Sequence, residues 1–563
     1  MPEAGLAGGT DAPSQTGANA LGLLPERLFS FAFRTDDRAY RVGFAIFLTA
    51  IAVWTGLLLC IGPVDLIASP HDITGHLDGG WRILNGQVPH NDFYCHLGPA
   101  VPYLLGLGMA VSGPNIYAVI LPLLGCGLGL GAAAWITSRR RLGPPLAVLM
   151  SLTVFSTTVG LAPLGWAPWL TDYAMFYNRI GYAVLMVLAV GCFVPRRTTA
   201  AEPLTRTTAF FGGVGLACLL SLKITCFFVA VPMVALAPVF LGSPKRWYSW
   251  SALGFTSLVL LFLVVSRVHP AAFVQDMAMV YGVAQDSQSP ALPRLLALAL
   301  ELWPNLAVLS IAFAAVAWVK KADLWTVCRF GLAVAILIAA DLLLGISNAQ
   351  LPVAALLPAE ITILYELARR SDVGEGRLNS RDRSPLRASL NWILLAAGVF
   401  LGMQRIAGDL VSTGCALVAR VRRGPDGYPG RQINAAPFKA AFMPAGLSGL
   451  SDYPLFVNLG LELLRKHVTK QSKLVALEFT NPFTIALGLK PAKGDVWWWH
   501  PGKTLSLSSH PAPSRVFAEA DFVIASRRGA EVLWPIYGSY IEQNFQLLDR
   551  NQEWALFQRA QPR

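Results

Sequence analysis

The feature that most constrains this chain is a succession of long apolar segments over most of its length. Each of eleven segments is long enough to cross or nearly cross a hydrocarbon core of about 30 Å. They span residues 42–67, 115–137, 144–163, 180–195, 208–222, 225–242, 248–267, 296–319, 324–346, 350–368 and 388–410. Because lipid offers no hydrogen-bond partners to the backbone, each segment is predicted to be a helix. A shorter run with glycine and proline, residues 98–112, is interpreted as interfacial or re-entrant.

The composition excludes a water-soluble enzyme of this length. Hydrophobic residues make up 54% of the chain and charged residues 14%, whereas soluble domains contain about 25% charged residues. The 8 cysteines are scattered, mostly in apolar runs and without a CxxC pair, which is typical of small buried side chains. The sequence therefore predicts an all-α polytopic membrane protein.

The distribution of basic residues predicts the orientation in the membrane. The net charge of +12 is spread over short clusters between the apolar runs. This distribution is typical of the cytoplasmic loops of a membrane protein and not of a single nucleic-acid-binding patch. With eleven spans and a cytoplasmic N-terminus, about twenty Lys and Arg face the cytoplasm and about four face outward. A twelfth span at 98–112 would place Arg139 to Arg141 outside. We therefore predict about eleven spans in a bacterial inner membrane.

An odd number of spans places the C-terminal part of the chain in the periplasm. Beyond residue 424 the composition becomes soluble-like, and about 140 residues can support a small α/β domain. Residues 473–479 and 520–525 are typical of buried strands, whereas 452–467 and 538–549 have helical periodicity. The predicted organisation is a disordered cytoplasmic tail (1–25), a transmembrane domain (42–410) with a first periplasmic loop (69–113), and a periplasmic α/β domain (424–563).

Polar residues concentrate in the first outer loop, between residues 69 and 99. A connector between two spans needs only a few residues, so a long polar loop indicates a function. Its ionisable residues are Asp72, Asp78, Asp92, His71, His76, His90, His96 and Arg82.

This loop resembles the first periplasmic loop of the GT-C glycosyltransferases, which use polyprenyl-phosphate-linked sugars and include the dolichyl-phosphate-mannose and aminoarabinose transferase types. An Asp after the first span is followed by Arg-Ile-Leu-x-Gly-x-x-Pro-x-x-Asp-Phe and then Gly-Pro. The matching residues are Asp72, Arg82, Ile83, Leu84, Gly86, Pro89, Asp92, Phe93, Gly98 and Pro99. The resemblance implies an inverting transfer of a sugar from a polyprenyl-phosphate donor to a periplasmic glycan or lipid acceptor. Many members have an acidic pair at the catalytic position, whereas Ile73 follows Asp72 here.

Sugar transfer to a hydroxyl needs a carboxylate that accepts the hydroxyl proton. Asp72 and Asp78 are the catalytic candidates. Asp72 could alternatively be the N-cap of a helix or a metal ligand. Asp78 could alternatively lie in a turn that continues into Gly79 and Gly80. On a continuous helix the two carboxylates would face different directions. Substrate contacts are predicted for His71, Arg82, Asp92 and Tyr177, with Asp92 alternatively fixing the loop.

The leaving lipid phosphate needs cations where its charge develops. Lys223, Arg179 and Arg294 lie near outer span ends and are the donor-phosphate candidates; snorkelling to lipid headgroups is the alternative for each. No soluble cofactor motif is present, and the histidine spacings match no compact zinc motif. A divalent metal is left open and no metal ligand is predicted.

The aromatic cluster Trp497 to Trp499 predicts docking of the C-terminal domain onto the bilayer, with sugar stacking as the alternative. Two other functions fit the topology. A transporter or lipid flippase would use charges within spans, for which Asp341 is the strongest candidate. An O-antigen-type glycan ligase shares the topology, but its active loop usually lies late in the chain.

The predicted topology can be tested with single cysteines introduced at Arg140 and Tyr540 in intact cells. Residue 140 should be protected from a membrane-impermeant thiol reagent, because its basic cluster is cytoplasmic, and residue 540 should react. Labelling of both positions from one side would contradict the eleven-span arrangement.

Overall fold

The structure is a computed structural model that describes residues 37–196, 202–241, 246–286, 291–320, 324–347, 356–371, 385–424, 432–444 and 452–560. The predicted N-terminal tail lies outside these residues. Among the described residues, seven helices are long and apolar enough to cross a membrane, and three more apolar helices are shorter. The predicted fold class, a polytopic helical membrane protein with a small C-terminal α/β domain, is confirmed. The count of eleven spans stays a prediction.

Every predicted apolar run contains a helix. The first group is α1 (Asp37–Ile61), α2 (Pro70–Leu84), α3 (Ala100–Ser112), α4 (Tyr117–Ser138), α5 (Pro144–Val159), α6 (Phe176–Phe193), α7 (Glu202–Leu222) and α8 (Ile224–Leu241). The second group is α9 (Trp247–Ser266), α10 (Pro270–Asp286), α11 (Ala291–Glu301), α12 (Trp303–Lys320), α13 (Leu324–Ser347), α14 (Leu357–Ser371) and α15 (Pro385–Arg423). The polar helix α2 belongs to the first loop.

The C-terminal domain surrounds a four-stranded sheet in the order β1-β2-β4-β3. Strands β1 and β2 are parallel, and the remaining pairs are antiparallel. The elements are α16 (Tyr453–Arg465), β1 (Leu474–Leu477), α17 (Phe483–Leu487), α18 (Pro513–Val516), β2 (Phe522–Ser526), α19 (Arg527–Asn544), β3 (Phe545–Arg550) and β4 (Trp554–Arg559).

The two strands and the helix expected at 452–467 are confirmed in this domain. The helix expected at 538–549 is partly wrong, because α19 ends at Asn544 and the next residues form β3. Strand β3 pairs with β4. Pairing with a neighbouring strand overrides the helical periodicity of a short segment.

The C-terminal domain packs on α2 through the tryptophan cluster. Trp497 and Trp499 are no more than 1% exposed. The Trp497 indole donates to the Gly75 carbonyl at 2.7 Å, and a Cβ at Gly79 would lie 2.7 Å from the same ring. Docking of this cluster onto the bilayer is therefore wrong: its apolar surface is buried inside the protein. Gly79 and Gly80 lie within α2, so the turn proposed there is also wrong.

Gly98, within the first loop, packs against the C-terminal end of α7. Its N–H donates to the Leu222 carbonyl at 3.1 Å, and an added Cβ would lie 2.1 Å from the Ser221 carbonyl oxygen. Only a residue without a side chain allows this approach of two backbones. The contact fixes the first loop beside Lys223, the residue that follows α7.

We expect Gly98→Ala to lower the unfolding temperature in detergent, because two backbones must separate to admit the methyl group. Overpacking of this kind costs about 1–3 kcal/mol. The matched control is Gly56→Ala within α1, where nothing lies within 4 Å of the added Cβ and alanine favours the helix. Equal unfolding temperatures for the two variants would contradict the assigned contact.

Candidate active site

Asp72 lies in the first turn of α2, a helix that begins at Pro70. The N-cap position belongs to Ser69, whose side chain makes no capping hydrogen bond. The N-cap alternative for Asp72 is therefore wrong. Proline suits the first helical position because its backbone lacks an N–H and its φ is already helical. The Asp72 side chain is only 8% exposed, so its carboxylate is held largely away from water.

A second carboxylate, Asp172, lies near Asp72 and was missed by the sequence analysis. Asp172 accepts hydrogen bonds from the backbone N–H groups of Ser69 at 2.5 Å, Tyr173 at 2.6 Å and Ala174 at 3.1 Å. Burial raises its pKa to about 7 despite these donors. Burial, and then the charge of Asp172, raise the pKa of Asp72 well above its usual value. The signal in the sequence is an acidic residue a few positions before Arg179, in the loop between two apolar runs.

His71 orients the Asp72 carboxylate. Its Nε2 lies 3.2 Å from Asp72 Oδ1. Burial and the charge of His500 lower the pKa of His71 to about 4, so the imidazole is neutral at pH 7. A neutral ring with its proton on Nε2 donates to the carboxylate without neutralising it. The rings of Phe479 and Tyr453, at centroid distances of 4.5 and 6.3 Å, flank His71 from the C-terminal domain.

Tyr177 and Lys223 extend the site into the membrane domain. Lys223 Nζ donates to Asn178 Oδ1 at 2.9 Å and lies 5.6 Å from the centre of the Tyr177 ring. Tyr177 in turn interacts electrostatically with Asp72. The fold thus brings Tyr177 to Asp72 and Lys223 to Tyr177, and these three residues together with His71 form one polar centre.

Asp78 and Arg82 lie on a different side of α2. Arg82 donates through Nε to Asp78 Oδ2 at 2.7 Å and through a terminal nitrogen to Asp495 Oδ2 at 2.6 Å. Thr484 donates to the other Asp78 oxygen at 2.9 Å. All three ion-pair side chains are fully buried. These contacts join α2 to the C-terminal domain.

The remaining site candidates have other partners. Asp92 accepts from the Val88 N–H at 2.9 Å and pairs with Lys493 at 3.0 Å. Arg179 donates to the Thr157 carbonyl at 3.2 Å and lies 4.0 Å from Asp409. The side chain of Arg294, in α11, lies outside the described part of the structure.

Two further observations concern the transporter alternative and the possibility of a metal site. Asp341 on α13 is buried and interacts electrostatically with buried Glu360 on α14. Within the described ranges, no three His, Cys, Asp or Glu side chains form a group that could hold a metal ion.

No family model and no curated protein matches this chain. Two similar solved structures are of ArnT from Cupriavidus metallidurans, a GT-C glycosyltransferase. The one bound to undecaprenyl phosphate is 12% identical, covers 91% of this chain and 97% of its own, and has a TM-score of 0.47. The apo structure is 12% identical, covers 92% and 98%, and has a TM-score of 0.45. Because identity and TM-scores are low, we base the function on the residues of the site.

The raised pKa of Asp172 predicts a pH-dependent stability. Between about pH 4 and pH 7 the folded protein binds a proton there that the unfolded chain has released. The free energy of unfolding should therefore fall as the pH rises over this window, by at most about 4 kcal/mol for this group. Asp172→Asn, which cannot titrate, should show a flatter dependence in thermal unfolding from pH 4 to pH 7.5. Parallel profiles for the two proteins would contradict the raised pKa.

Proposed function

We propose that this protein is a membrane glycosyltransferase of the GT-C type. It transfers a sugar from a polyprenyl-phosphate carrier to a hydroxyl group of an envelope glycan or lipid on the periplasmic side. The observation that carries the proposal is a carboxylate oriented by a neutral imidazole, Asp72 with His71. A half-buried lysine, Lys223, is connected to this carboxylate through Tyr177. A proton acceptor and a cation for a leaving phosphate are the two groups that this reaction needs.

Asp72 is the general base in this proposal. As the acceptor oxygen attacks the anomeric carbon, its proton passes to Asp72. The bond from that carbon to the phosphate oxygen breaks, and the electron pair stays on the polyprenyl phosphate. Attack opposite the leaving group inverts the anomeric configuration. Burial and neighbouring Asp172 raise the pKa of Asp72, so the ionised carboxylate is a stronger base than a solvated one.

Lys223 is proposed to stabilise the phosphate as its charge develops. Its hydrogen bond to Asn178 fixes the ammonium group in position, so little reorganisation is needed during the reaction. Tyr177 and His71 are proposed to contact the sugar or acceptor between the lysine and the base. Phe479 and Tyr453 of the C-terminal domain would limit the access of water from the side of His71.

Asp78 is proposed to act through Arg82, as a positioning residue rather than a base. Its two carboxylate oxygens accept hydrogen bonds from Arg82 and Thr484, and the side chain is fully buried, so an acceptor hydroxyl has no exposed oxygen to approach. Loss of one partner from a buried ion pair is strongly destabilising, by about 3–5 kcal/mol. The two aspartates are therefore expected to fail in different ways when substituted.

We expect Asp72→Asn to lower sugar transfer by about 100- to 10,000-fold, the usual contribution of a general base, with no fall in the unfolding temperature because the amide carries no buried charge. Asp78→Asn should instead lower the unfolding temperature, while the protein that remains folded retains much of its activity. The measurement is transfer from a radiolabelled polyprenyl-phosphate sugar to membrane extracts, with thermal unfolding of each variant. Normal transfer by Asp72→Asn together with an inactive, stable Asp78→Asn would assign the base to Asp78.

The buried pair Asp341 and Glu360 favours one second candidate, a transporter or lipid flippase, since carboxylates within spans usually serve ion or substrate pathways. Uptake or flipping in vesicles without sugar transfer would support it. The same preparation therefore discriminates between the two functions.

A further inference from the structure

A tight turn in the C-terminal domain, residues 500–505, lies at the candidate active site. The backbone N–H groups of Lys503 and Thr504 donate to the His500 carbonyl at 3.0 and 2.8 Å, and that of Gly502 donates to Leu505 at 2.8 Å. Gly502 has a φ of +74°, which glycine adopts without strain. The buried Thr504 hydroxyl donates to the Trp498 carbonyl at 2.8 Å. The turn is thus fixed to the tryptophan cluster, with Lys503 on its exposed side.

The 500–505 turn is connected to Asp72 by direct ring contacts. The His500 ring lies 5.0 Å from the ring of Phe479, which is 4.5 Å from the ring of His71. His71 contacts Asp72. This chain of contacts brings the exposed turn to the edge of the polar centre.

Lys503 also affects the pKa of Lys223, the lysine that follows α7. Burial, and then the charge of Lys503, lower the pKa of Lys223 to about 8. Burial, and then the charge of Lys503, lower the pKa of His500 too. Lys223 is half-buried and Lys503 is exposed, so two ammonium groups from two parts of the fold lie beside the same polar centre. Like charges that converge beside a polar centre repel each other, and a bound anion relieves that repulsion.

We propose that Lys503 is a second phosphate-binding cation and that the terminal phosphate of a polyprenyl phosphate is held between Lys223 and Lys503. The identity of this anion rests on the proposed function. The donor phosphodiester carries one negative charge, whereas the released phosphate monoester carries about −1.5 to −2 at pH 7. A second cation therefore binds the leaving group more strongly than the donor, and it stabilises charge that develops as the sugar is transferred. The C-terminal domain becomes part of the substrate site.

The test is binding to the full-length protein in detergent, measured as the rise in unfolding temperature with ligand concentration. The probes are a polyprenyl monophosphate, the matching polyprenol and inorganic phosphate. We expect the monophosphate to bind Lys503→Ala about three- to tenfold more weakly than wild type, as for loss of one partly exposed charge contact. Lys503→Arg should retain most of the affinity, and Lys223→Ala should lose more than Lys503→Ala. The matched control is Lys470→Ala, an exposed lysine elsewhere in the domain, which should bind like wild type.

Each contrary outcome has a distinct meaning. Equal affinity of wild type and Lys503→Ala would overturn the role of Lys503, and equal binding of the polyprenol would overturn an anion site. Inorganic phosphate that binds as tightly, with the same dependence on Lys503, would assign the site to free phosphate. Weaker monophosphate binding by Lys503→Ala, together with normal transfer by Asp72→Asn, would leave this site intact and overturn the proposed base. Failure of wild type to bind any probe would overturn both proposals.

Discussion

The buried ion pairs of Arg82 with Asp78 and Asp495 are the interaction on which the rest of the site depends. They join a helix of the first loop to a segment more than four hundred positions later in the chain. Removal of one member of a buried charged triad leaves a charge without its partner and is strongly destabilising. Thr484 supplies one of these additional hydrogen bonds. The position of α2 and that of the C-terminal domain are consequently coupled.

Helix α2 carries Asp72, the proposed base, on another side. Asp72 and Asp78 are six positions apart, so on a continuous helix their side chains point about 120° apart. One direction faces Asp495 and the C-terminal domain, and the other faces His71, Tyr177 and the lysine beyond it. Glycines at 75 and 79 allow the tryptophan cluster to lie directly on the helix backbone. This contact leaves α2 little freedom to rotate and keeps the Asp72 carboxylate aimed at one place.

The domain after residue 424 is therefore more than an appended module. It supplies the ion-pair partner Asp495, the aromatic rings beside His71 and the turn that carries Lys503. In the proposed reaction, the base and the first phosphate cation come from the membrane domain, whereas the surroundings that exclude water come from this domain. Substrate recognition would then depend on the contact between the two parts of the chain.

Local patterns in the sequence were sufficient for several conclusions. Long apolar runs predict helices because lipid allows few other structures, and short apolar runs such as 473–479 predict buried strands. A carboxylate in a long polar loop made Asp72 a candidate base, and an isolated cation between two spans made Lys223 a candidate for phosphate binding. Each of these signals lies within a few neighbouring residues.

The tertiary structure alone decided which segments of the chain contact one another. No local pattern could show that Trp497 to Trp499 pack on glycines of α2 rather than on lipid, because both surroundings are apolar. Strand β3 was assigned to a helix because its partner β4 is not visible in its own periodicity. Asp172 was missed for the same physical reason. Its proximity to Asp72, which raises the proton affinity of that carboxylate, exists only once the chain has folded.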